Sequence, residues 1–414
     1  MRTTDSTDFY PRFVEKEIRE ALSDTRIVLV CGPRQSGKTT LVRKIAGNQI
    51  PFYSLDDPTT LEFAKNDPVG FVRNVDCVVI DEVHLARNLI SAIKVSVDND
   101  RRPGRFLLTG SANLFSLPWL ADSLAGRMAI VNLYPLGQAE IRRTRPNFLS
   151  SIFSMQLPYI KSEVYGQELI RIVLAGGFPE AVNRERANRR EAWHRDYAHA
   201  IVQRDVRDIA RIDRHSLMPQ LLSVLTGYSG KLVNYSTIGS LIDANHVTTQ
   251  KYMQILENLF VIHTLQSWHS NRIKRTSKSR KLHFVDSGLM ASLAGLSDYQ
   301  LERNRTEFGT LLESFVCGEL IKLASWEESA YRFSHFRDRD YHEVDIVIED
   351  SNGFVVGIEV KASATLNSSD FSGLRHLASI CGDKFTMGLI LCDHEQTVSF
   401  GERMAAVPVS ALWS

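Results

Sequence analysis

The chain has 414 residues, 43% of them hydrophobic, and its 49 Lys and Arg residues nearly balance its 48 Asp and Glu residues. This composition excludes a largely disordered chain, and the near-neutral charge leaves only local patches to bind a polyanion. The five cysteines are scattered and support neither a disulfide framework nor a zinc site, and no apolar run approaches the roughly 20 residues of a membrane span. Because the N-terminus is polar and acidic, we expect no signal peptide. We predict two or three domains of roughly 150 residues, located in the cytoplasm.

Residues 32–39 have the sequence GPRQSGKT, which fits the pattern G-x-x-x-x-G-K-[ST] of a phosphate-binding loop. The apolar run 27–31 before it predicts a buried strand, and the spacing of residues 40–46 after it predicts a helix. Glycines let the backbone turn around a phosphate, and N–H groups at the start of the helix bind the anion. Lys38 is predicted to reach the β- and γ-phosphates and Thr39 to ligate Mg²⁺, so we expect ATP and Mg²⁺ as ligands. The predicted nucleotide-binding residues are Gly32, Pro33, Arg34, Gln35, Ser36, Gly37, Lys38, Thr39 and Thr40.

A second acidic motif lies further along the chain. Residues 13–22 predict a helix and residues 51–55 a short strand. Residues 77–82 then form an apolar run that ends in two carboxylates. Asp81 is predicted to hold Mg²⁺ through water, and Glu82 to polarise the attacking water. The alternative is a strand that ends in a solvated acidic turn.

Two later segments could complete the nucleotide site. Residues 105–111 predict a buried strand with a polar end, at which Thr109 or Ser111 could sense the γ-phosphate or the attacking water. A strand that is merely capped by a turn is equally compatible with this pattern. Arg127 precedes the predicted strand 128–133 and is expected near the edge of the nucleotide face. It is a candidate arginine finger, with an ordinary surface arginine as the alternative.

The segments GPRQSGKTTL, VVIDEVH, LLTGSANLF and LAGRMAIVNLYPL together resemble an AAA+ ATPase family of bacteria and archaea. In that family the ATPase is fused to a C-terminal domain long catalogued as being of unknown function. Residues 176–182 (GGFPEAV), 204–206 and 284–289 (FVDSGL) extend the resemblance. It implies an α/β core at residues 1–145, with a parallel sheet and an extra strand between the two Walker strands, and a helical lid at 146–212. Many AAA+ relatives are oligomers, so a homo-oligomer is possible.

Residues 213–290 have the predicted element order of a winged-helix module. Residues 217–228 predict a helix, and residues 235–242 predict a short capped helix. After a turn, residues 248–259 predict a second helix in the place of a recognition helix. The predicted strand 261–268 follows as the edge of a wing.

The densest like-charge run of the chain is found after that strand, at residues 272–281. Lys and Arg side chains in a wing loop could follow the phosphates of DNA, which would give salt-dependent and largely sequence-independent binding. DNA is therefore a predicted partner. The predicted recognition helix carries only Lys251 as a basic residue, which argues against base readout. The alternative is a module for packing or oligomerisation with an ordinary solvated loop.

Two strands near the C-terminus carry another set of carboxylates. Residues 343–348 and 354–361 predict strands that are joined by a three-residue hairpin loop, 351–353, with glycine at its left-handed position. This register sets Asp345 opposite Glu359 on one face of the hairpin.

Strand alternation puts Lys361 on that same face, and a predicted helix carries Glu313 nearby. A carboxylate pair with a lysine resembles the core of PD-(D/E)XK nucleases, here within residues 291–414. The resemblance implies that Asp345 and Glu359 bind Mg²⁺, that the lysine helps to position the attacking hydroxide, and that the helical glutamate supports the site. Such folds also serve only for binding, so an inactive site is the alternative.

The sequence therefore predicts an α/β protein with a P-loop AAA+ core and helical lid, then a winged-helix module and a C-terminal α/β nuclease-like domain. Our first hypothesis is an ATPase that couples nucleotide turnover to DNA binding or processing. The alternative is a regulatory NTPase switch that binds a protein partner and carries an inert nuclease-like fold. The predicted catalytic residues are Lys38, Glu82, Arg127, Glu313, Asp345, Glu359 and Lys361.

Overall fold

The computed structural model describes residues 9–73, 75–112, 124–206, 216–271, 275 and 279–414. The chain divides into two compact units. The N-terminal unit contains residues 11–136 and 258–260, and the C-terminal unit contains the rest. Within the described ranges, every helix is too short or too polar to cross a membrane.

The N-terminal unit is built on a five-stranded parallel sheet with the order β2-β3-β4-β1-β5. Its strands are β1 (Ile27–Cys31), β2 (Phe52–Ser54), β3 (Val78–Asp81), β4 (Phe106–Gly110) and β5 (Met128–Asn132). Its described helices are α1 (Glu15–Asp24), α2 (Lys38–Ala46), α3 (Pro58–Asn66), α4 (Pro68–Phe71) and α5 (Arg87–Asn99).

The central strands β1, β3 and β4 are apolar and fully buried, as expected for parallel strands that are covered on both faces. β4 lies between β1 and β3, so the predicted extra strand between the two Walker strands is present. Because the strands are parallel, the segments that follow β1, β3 and β4 meet at one edge of the sheet. The fold thereby brings the phosphate loop and the predicted acidic motif together.

The C-terminal unit contains an eight-stranded mixed sheet with the order β12-β13-β11-β10-β9-β8-β6-β7. Its strands are β6 (Ile262–Ser267), β7 (Lys281–Phe284), β8 (Arg332–Arg337), β9 (Glu343–Glu349), β10 (Val355–Lys361), β11 (Phe385–Cys392), β12 (Val398–Ser399) and β13 (Met404–Pro408). The described helices after β5 are α6 (Gln138–Arg142), α7 (Phe148–Phe153), α8 (Gln167–Ala175), α9 (Pro179–Val182), α10 (Ala187–Ala200), α11 (Leu217–Thr226), α12 (Tyr235–Ser240), α13 (His246–Asn258), α14 (Ser287–Ala294), α15 (Asp298–Arg303), α16 (Arg305–Ala324) and α17 (Ser372–Cys381).

The sheet of the C-terminal unit contains strands from both sides of residue 290, the predicted boundary between the winged-helix module and the nuclease-like domain. β6, which corresponds to the predicted wing strand, pairs antiparallel with β7, but it also pairs in parallel with β8 through Gln266 and Ser334. The three helices α11, α12 and α13 precede this hairpin, in the predicted order. The segment predicted as a separate winged-helix module therefore shares a sheet with the segment predicted as nuclease-like.

The helices of the predicted lid, residues 146–212, also belong to the C-terminal unit. Ser287 Oγ at the start of α14 donates to Val173 O in α8 at 2.6 Å. Ser292 Oγ of α14 donates to Glu191 O in α10 at 3.2 Å. These contacts tie the predicted lid helices to α14, which runs across residue 290, the predicted end of the winged-helix module.

The register that was predicted for β9 and β10 is confirmed. Asp350 N donates to Phe354 O at 3.0 Å, and Gly353 has the left-handed φ of +79°. The paired strands continue from Val355 opposite Glu349 to Ile358 opposite Ile346. The next pair in this register is Glu359 opposite Asp345. The hairpin thus brings the two predicted metal ligands to neighbouring positions.

Candidate functional site

The phosphate loop lies between β1 and α2 and has the backbone that such a loop requires. A Cβ atom on Gly32 would lie 2.1 Å from Leu133 O, so any side chain at this position would clash with the neighbouring strand end. Gly37 immediately precedes α2 and has a φ of +94°, which favours glycine. Ser36 Oγ is buried and has no hydrogen-bond partner among the described residues, and a bound phosphate oxygen would satisfy this hydroxyl. This loop fits a phosphate group.

Lys38 is the first residue of α2, and only 4% of it is exposed. Its Nζ donates to Gly32 O at 3.0 Å and to Pro33 O at 2.9 Å. Burial lowers the pKa of the ammonium, although the nearby Glu82 and Asp81 carboxylates oppose this effect. The ammonium is therefore held over the loop by neutral carbonyl groups, which it could exchange for the oxygens of a phosphate.

Asp81, at the end of β3, is the centre of a hydrogen-bond cluster beside the phosphate loop. The Thr39 hydroxyl lies 3.1 and 3.0 Å from its two carboxylate oxygens, and Thr109 Oγ1 donates to Oδ1 at 2.5 Å. Burial raises the pKa of Asp81, and the hydrogen bond from Thr109 partly offsets this increase. Thr39 and Asp81, predicted as Mg²⁺ residues from separate motifs, are thus in direct contact. A hydroxyl beside a carboxylate suits Mg²⁺, which prefers oxygen ligands.

Glu82 follows β3 in the left-handed backbone conformation, with a φ of +56°. Its N–H donates to Thr109 Oγ1 at 3.0 Å, and its Oε2 accepts from Ser111 N at 3.1 Å. His84 Nδ1 lies 3.2 Å from the same oxygen. Burial by itself would raise the pKa of Glu82, but His84 and the Lys38 ammonium outweigh it and lower this pKa to about 2. The side chain is therefore an ionised carboxylate at neutral pH, as an acceptor of a water proton must be.

Arg12 supports the phosphate loop, and the sequence patterns did not predict it. Its guanidinium donates to Ser36 O and to Tyr134 O, both at 2.6 Å. One side chain thereby joins the loop to the segment that follows β5. Arg12 precedes the first helix and belongs to no motif, so only the fold reveals its role.

The expectation that Arg127 lies near the nucleotide edge is wrong. Arg127 precedes β5, which runs parallel to β1 with Met128 opposite Ile27, whereas the phosphate loop follows the other end of β1 at Cys31. Five strand residues separate the two edges by about 16 Å. The Arg127 guanidinium instead forms two hydrogen bonds with Asp98, at 2.6 and 3.0 Å. This geometry gives Arg127 no contact with a nucleotide in its own chain.

We expect Arg127→Ala to leave the ATPase rate within about twofold of wild type and to change the stability of the unit only slightly, because its ion pair with Asp98 is exposed to solvent. The measurement is phosphate release over a range of protein concentrations, with Arg102→Ala, another exposed arginine of this unit, as the control. A concentration-dependent loss of about 10³-fold would instead assign Arg127 as a finger to a neighbouring subunit.

The carboxylates of the C-terminal unit surround a lysine that was predicted to contact DNA. Lys281 in β7 is 1% exposed. Its Nζ lies 2.7 Å from Asp345 Oδ1, 2.8 Å from Glu313 Oε1 and 3.4 Å from Glu343 Oε1. We call Lys281, Glu313, Asp345 and Glu359 the carboxylate cluster. Lys281 is the residue of this cluster that sequence analysis missed.

The carboxyl groups of this buried cluster differ in the direction of their pKa shifts. Burial and the adjacent Asp345 raise the pKa of Glu313 to about 8, and the same two causes raise the pKa of Glu359 well above its usual range. Burial opposes ionisation of Asp345 too, but the Lys281 ammonium and a hydrogen bond from Glu359 lower its pKa to about 2. The site thus favours an ionised pair of Lys281 and Asp345, whereas it favours the protonated form of Glu313 and of Glu359. Ionisation of all of the carboxyls would require more positive charge than Lys281 carries.

Two further residues shape the cluster. The charge of Lys361 acts to lower the pKa of Glu359, although within the described residues Lys361 forms no side-chain hydrogen bond or ion pair with a carboxylate. Gly373 in α17 lies against β9 and β10, and a Cβ there would lie 2.0 Å from Glu343 O and 3.4 Å from Glu359 Oε1. The helix can approach the carboxylates this closely only because this residue is glycine.

Most of the described basic side chains in the stretch 272–281 are buried. Arg275 is buried and its guanidinium lies 2.8 Å from Glu349 Oε2. Lys281 is the buried lysine of the cluster, and Arg280 is exposed. Residues 272–274 and 276–278, on which the DNA prediction also rests, lie outside the described residues. Two of the predicted DNA-contacting cations are therefore used in internal ion pairs.

Three segments of the chain match models of protein families. Residues 24–142 match the model of an AAA domain, residues 166–300 that of a domain of unknown function (DUF8612), and residues 308–412 that of another (DUF4143). The second match runs across residue 212, where the lid was predicted to end.

The curated relatives include two uncharacterized mycobacterial proteins, Rv2008c of Mycobacterium tuberculosis and Mb2031c of Mycobacterium bovis. Each is 27% identical over 84% of this chain and 73% of its own length. Among solved structures, the chain is similar to a Walker-type ATPase of Pyrococcus abyssi (14% identity, TM-score 0.42, 71% of this chain and 98% of that chain). It is also similar to a RuvB variant of Thermotoga maritima (18% identity, TM-score 0.31, 63% and 92%). The family match and the loop geometry support nucleotide binding by residues 24–142, the segment that matches the model of an AAA domain.

Proposed function

We propose that this protein hydrolyses ATP in its N-terminal unit and couples turnover to an action on DNA by its C-terminal unit. The contact between Thr39 and Asp81 carries the first part, because two residues from separate motifs meet beside the phosphate loop. In this proposal the loop N–H groups and the Ser36 hydroxyl bind phosphate oxygens. The Lys38 ammonium then leaves the loop carbonyls for the terminal phosphates.

Mg²⁺ fits the pair formed by Thr39 and Asp81, which would hold it directly or through water. When bound, Mg²⁺ would supply the positive charge that the terminal phosphates need during transfer. In this proposal, residues of the chain orient the attacking water and accept its proton. Glu82 is ionised, buried and fixed by Ser111 N, so it can orient a water and accept its proton. Thr109 contacts both Asp81 and Glu82 N, a position from which it could link the state of the nucleotide to both acidic residues.

The carboxylate cluster supports a nuclease-like role for the C-terminal unit. The register of β9 and β10, continued by one residue, sets Asp345 opposite Glu359, and Glu313 lies on α16. This set is similar to the one that the resemblance to PD-(D/E)XK nucleases implies. The oxygens of these carboxylates fit Mg²⁺, which would supply charge to a scissile phosphate and its attacking water. Lys361 would position that water from the same face. The element order of α11, α12, α13, β6 and β7 supports a winged helix as the part that contacts DNA.

A second candidate function rests on Lys281. Its ammonium lies within 2.8 Å of both Asp345 and Glu313, so a permanent cation of the protein already satisfies carboxylates that a nuclease would offer to a metal ion. This arrangement favours an inert nuclease-like fold, which would serve as the output of a nucleotide-dependent switch toward a protein partner. The burial of Arg275 and Lys281 also removes two cations from the proposed DNA surface.

The test of the proposed nuclease is Asp345→Asn, which keeps the size of the side chain and removes its charge. We expect wild-type protein with Mg²⁺ and ATP to nick supercoiled DNA, and Asp345→Asn to lose this activity while its ATPase rate stays unchanged. Asp383→Asn, at an exposed carboxylate of the same unit, is the matched control for the preparation.

Wild-type protein that cleaves neither DNA nor RNA would refute the nuclease, and an ATPase rate that does not respond to DNA would refute the coupling. Both results together leave the switch, for which ATP-dependent capture of a partner is the next measurement. The basal ATPase rate is measured in the same samples. It shows separately whether the protein hydrolyses ATP, whatever the result for cleavage or coupling.

A further inference from the structure

A second group of metal-ligating side chains lies in the C-terminal unit, beside the carboxylate cluster but distinct from it. Asp338 and His342 belong to the turn between β8 and β9, and His376 lies on α17. His342 Nδ1 and His376 Nε2 each lie 2.9 Å from the same oxygen of Asp338, Oδ2. The two imidazole rings stack with centroids 4.1 Å apart and an angle of 15° between their planes. Residues that are distant in the sequence thus direct three ligand atoms toward one point.

The turn fixes Asp338 so that only one of its oxygens faces the imidazoles. Oδ1 accepts the backbone N–H groups of Asp340 and His342, both at 2.9 Å. Oδ2 is left for the two histidines. In the described part of the chain, Asp338 forms ion pairs with these imidazoles and with no lysine or arginine. The carboxylate cluster has Lys281 as its own cation, whereas no described lysine or arginine pairs with Asp338.

The chemistry of the three ligands selects a class of ion. Two imidazole nitrogens and one carboxylate oxygen suit Zn²⁺ and similar divalent transition metals, whereas Mg²⁺ prefers oxygen ligands alone. The three ligand atoms lie within 4.8 Å of one another. Bonds of about 2.0–2.2 Å to a tetrahedral ion would hold them roughly 3.3 Å apart, so only small side-chain shifts are needed. The side chains are 20%, 37% and 33% exposed, which leaves a fourth position open to water.

We propose that Asp338, His342 and His376 form a binding site for a divalent transition-metal ion of the Zn²⁺ type. An ion bound there would tie the turn between β8 and β9 to α17. That helix carries Gly373, one turn before His376, at the point where it packs against Glu343 and Glu359. The metal site would therefore fix the helix that closes one side of the carboxylate cluster.

The experiment measures Zn²⁺ binding to the full-length chain by calorimetry, in an excess of Mg²⁺ that occupies oxygen-only sites. We expect wild-type protein to bind one Zn²⁺ ion more than His342→Ala or His376→Gln, and Zn²⁺ to raise the thermal midpoint of wild type alone. Co²⁺ should give ligand-field absorption in wild type that both variants lose. The glutamine variant keeps an N–H donor for Asp338, so it separates loss of a metal ligand from loss of a hydrogen bond.

His199→Ala is the matched control, because His199 is an exposed histidine at the end of α10. It should bind Zn²⁺ as wild type does. Far-UV circular dichroism and the ATPase rate of each variant show whether it is folded. If folded His342→Ala and His376→Gln bind Zn²⁺ with the stoichiometry and affinity of wild type, the proposal is overturned. The three residues are then only a hydrogen-bonded group.

Discussion

Glu82→Gln is expected to bind ATP as tightly as wild type and to hydrolyse it about 10²–10⁴-fold more slowly. Glutamine has nearly the same size and can still accept the hydrogen bond from Ser111 N, so the backbone after β3 should be retained. It has no negative charge, however, and cannot accept a proton from water. Because the pKa of Glu82 is held at about 2, its charge is present throughout the neutral range. The factor by which Glu82→Gln is slower than wild type should therefore not vary between about pH 6 and about pH 8.

Binding and turnover are measured separately to test this prediction. Equilibrium titration with a fluorescent ATP analogue gives the affinity, and phosphate release gives the rate. Lys38→Ala is the contrasting variant, since loss of the ammonium that faces the phosphates should abolish binding itself. Glu82→Gln that turns over at the wild-type rate would assign water activation to another residue. Turnover in Lys38→Ala would contradict the nucleotide site as a whole.

The local patterns of the sequence predicted the parts of the fold that depend on neighbouring residues. The phosphate loop, the strands beside it and the hairpin register of Asp345 and Glu359 each follow from a short segment with its own turn chemistry. Glycine at residue 353, for example, fixes the loop and hence every pair in the two strands. Such features can be predicted from a short segment alone, without the remaining chain.

Sequence reasoning failed where the role of a residue depends on which strand lies beside its own. Lys281 was grouped with its charged neighbours, yet β7 places it among carboxylates that are 32 or more residues away along the chain. Arg127 was assigned by its closeness to other motifs, but the direction of β5 puts it at the opposite edge of the sheet. Arg12 and Gly373 act through contacts with distant segments that no periodicity of the sequence predicts.

Lys281→Met is expected to destabilise the C-terminal unit by about 3–5 kcal/mol, because it leaves the buried Asp345 carboxylate without its cation. Methionine has a similar length and keeps the packing of the stem. Arg280→Met changes the neighbouring, exposed cation and should alter the free energy of unfolding by less than about 0.5 kcal/mol. Four of the five tryptophans, Trp193, Trp268, Trp326 and Trp413, belong to this unit, so urea unfolding followed by tryptophan fluorescence reports mainly on it.

The pH dependence of the Lys281→Met deficit identifies its cause. Without the ammonium, the folded-state pKa of Asp345 should rise above its unfolded value, so folding would favour the protonated acid. The stabilisation by protonated Asp345 is present below its unfolded pKa and is lost as pH rises through its folded pKa. The loss of stability in Lys281→Met should therefore be smaller at about pH 5 than at about pH 8. A deficit that is the same at both pH values would point to lost packing rather than to uncompensated charge.

The same variant separates the two candidate functions of the carboxylate cluster. If the carboxylates form a metal site, Mg²⁺ can replace the missing ammonium, and millimolar Mg²⁺ should recover part of the stability of Lys281→Met while having less effect on wild type. Lys281→Met/Asp345→Leu removes both charges and should be nearly as stable as wild type without Mg²⁺. If Mg²⁺ recovers no stability in the single variant, the cluster does not bind the ion that a nuclease requires, and the carboxylates serve as the counter-charge of Lys281. Recovery would show that the nuclease-like site retains its affinity for metal and that Lys281 competes with the ion for the same oxygens.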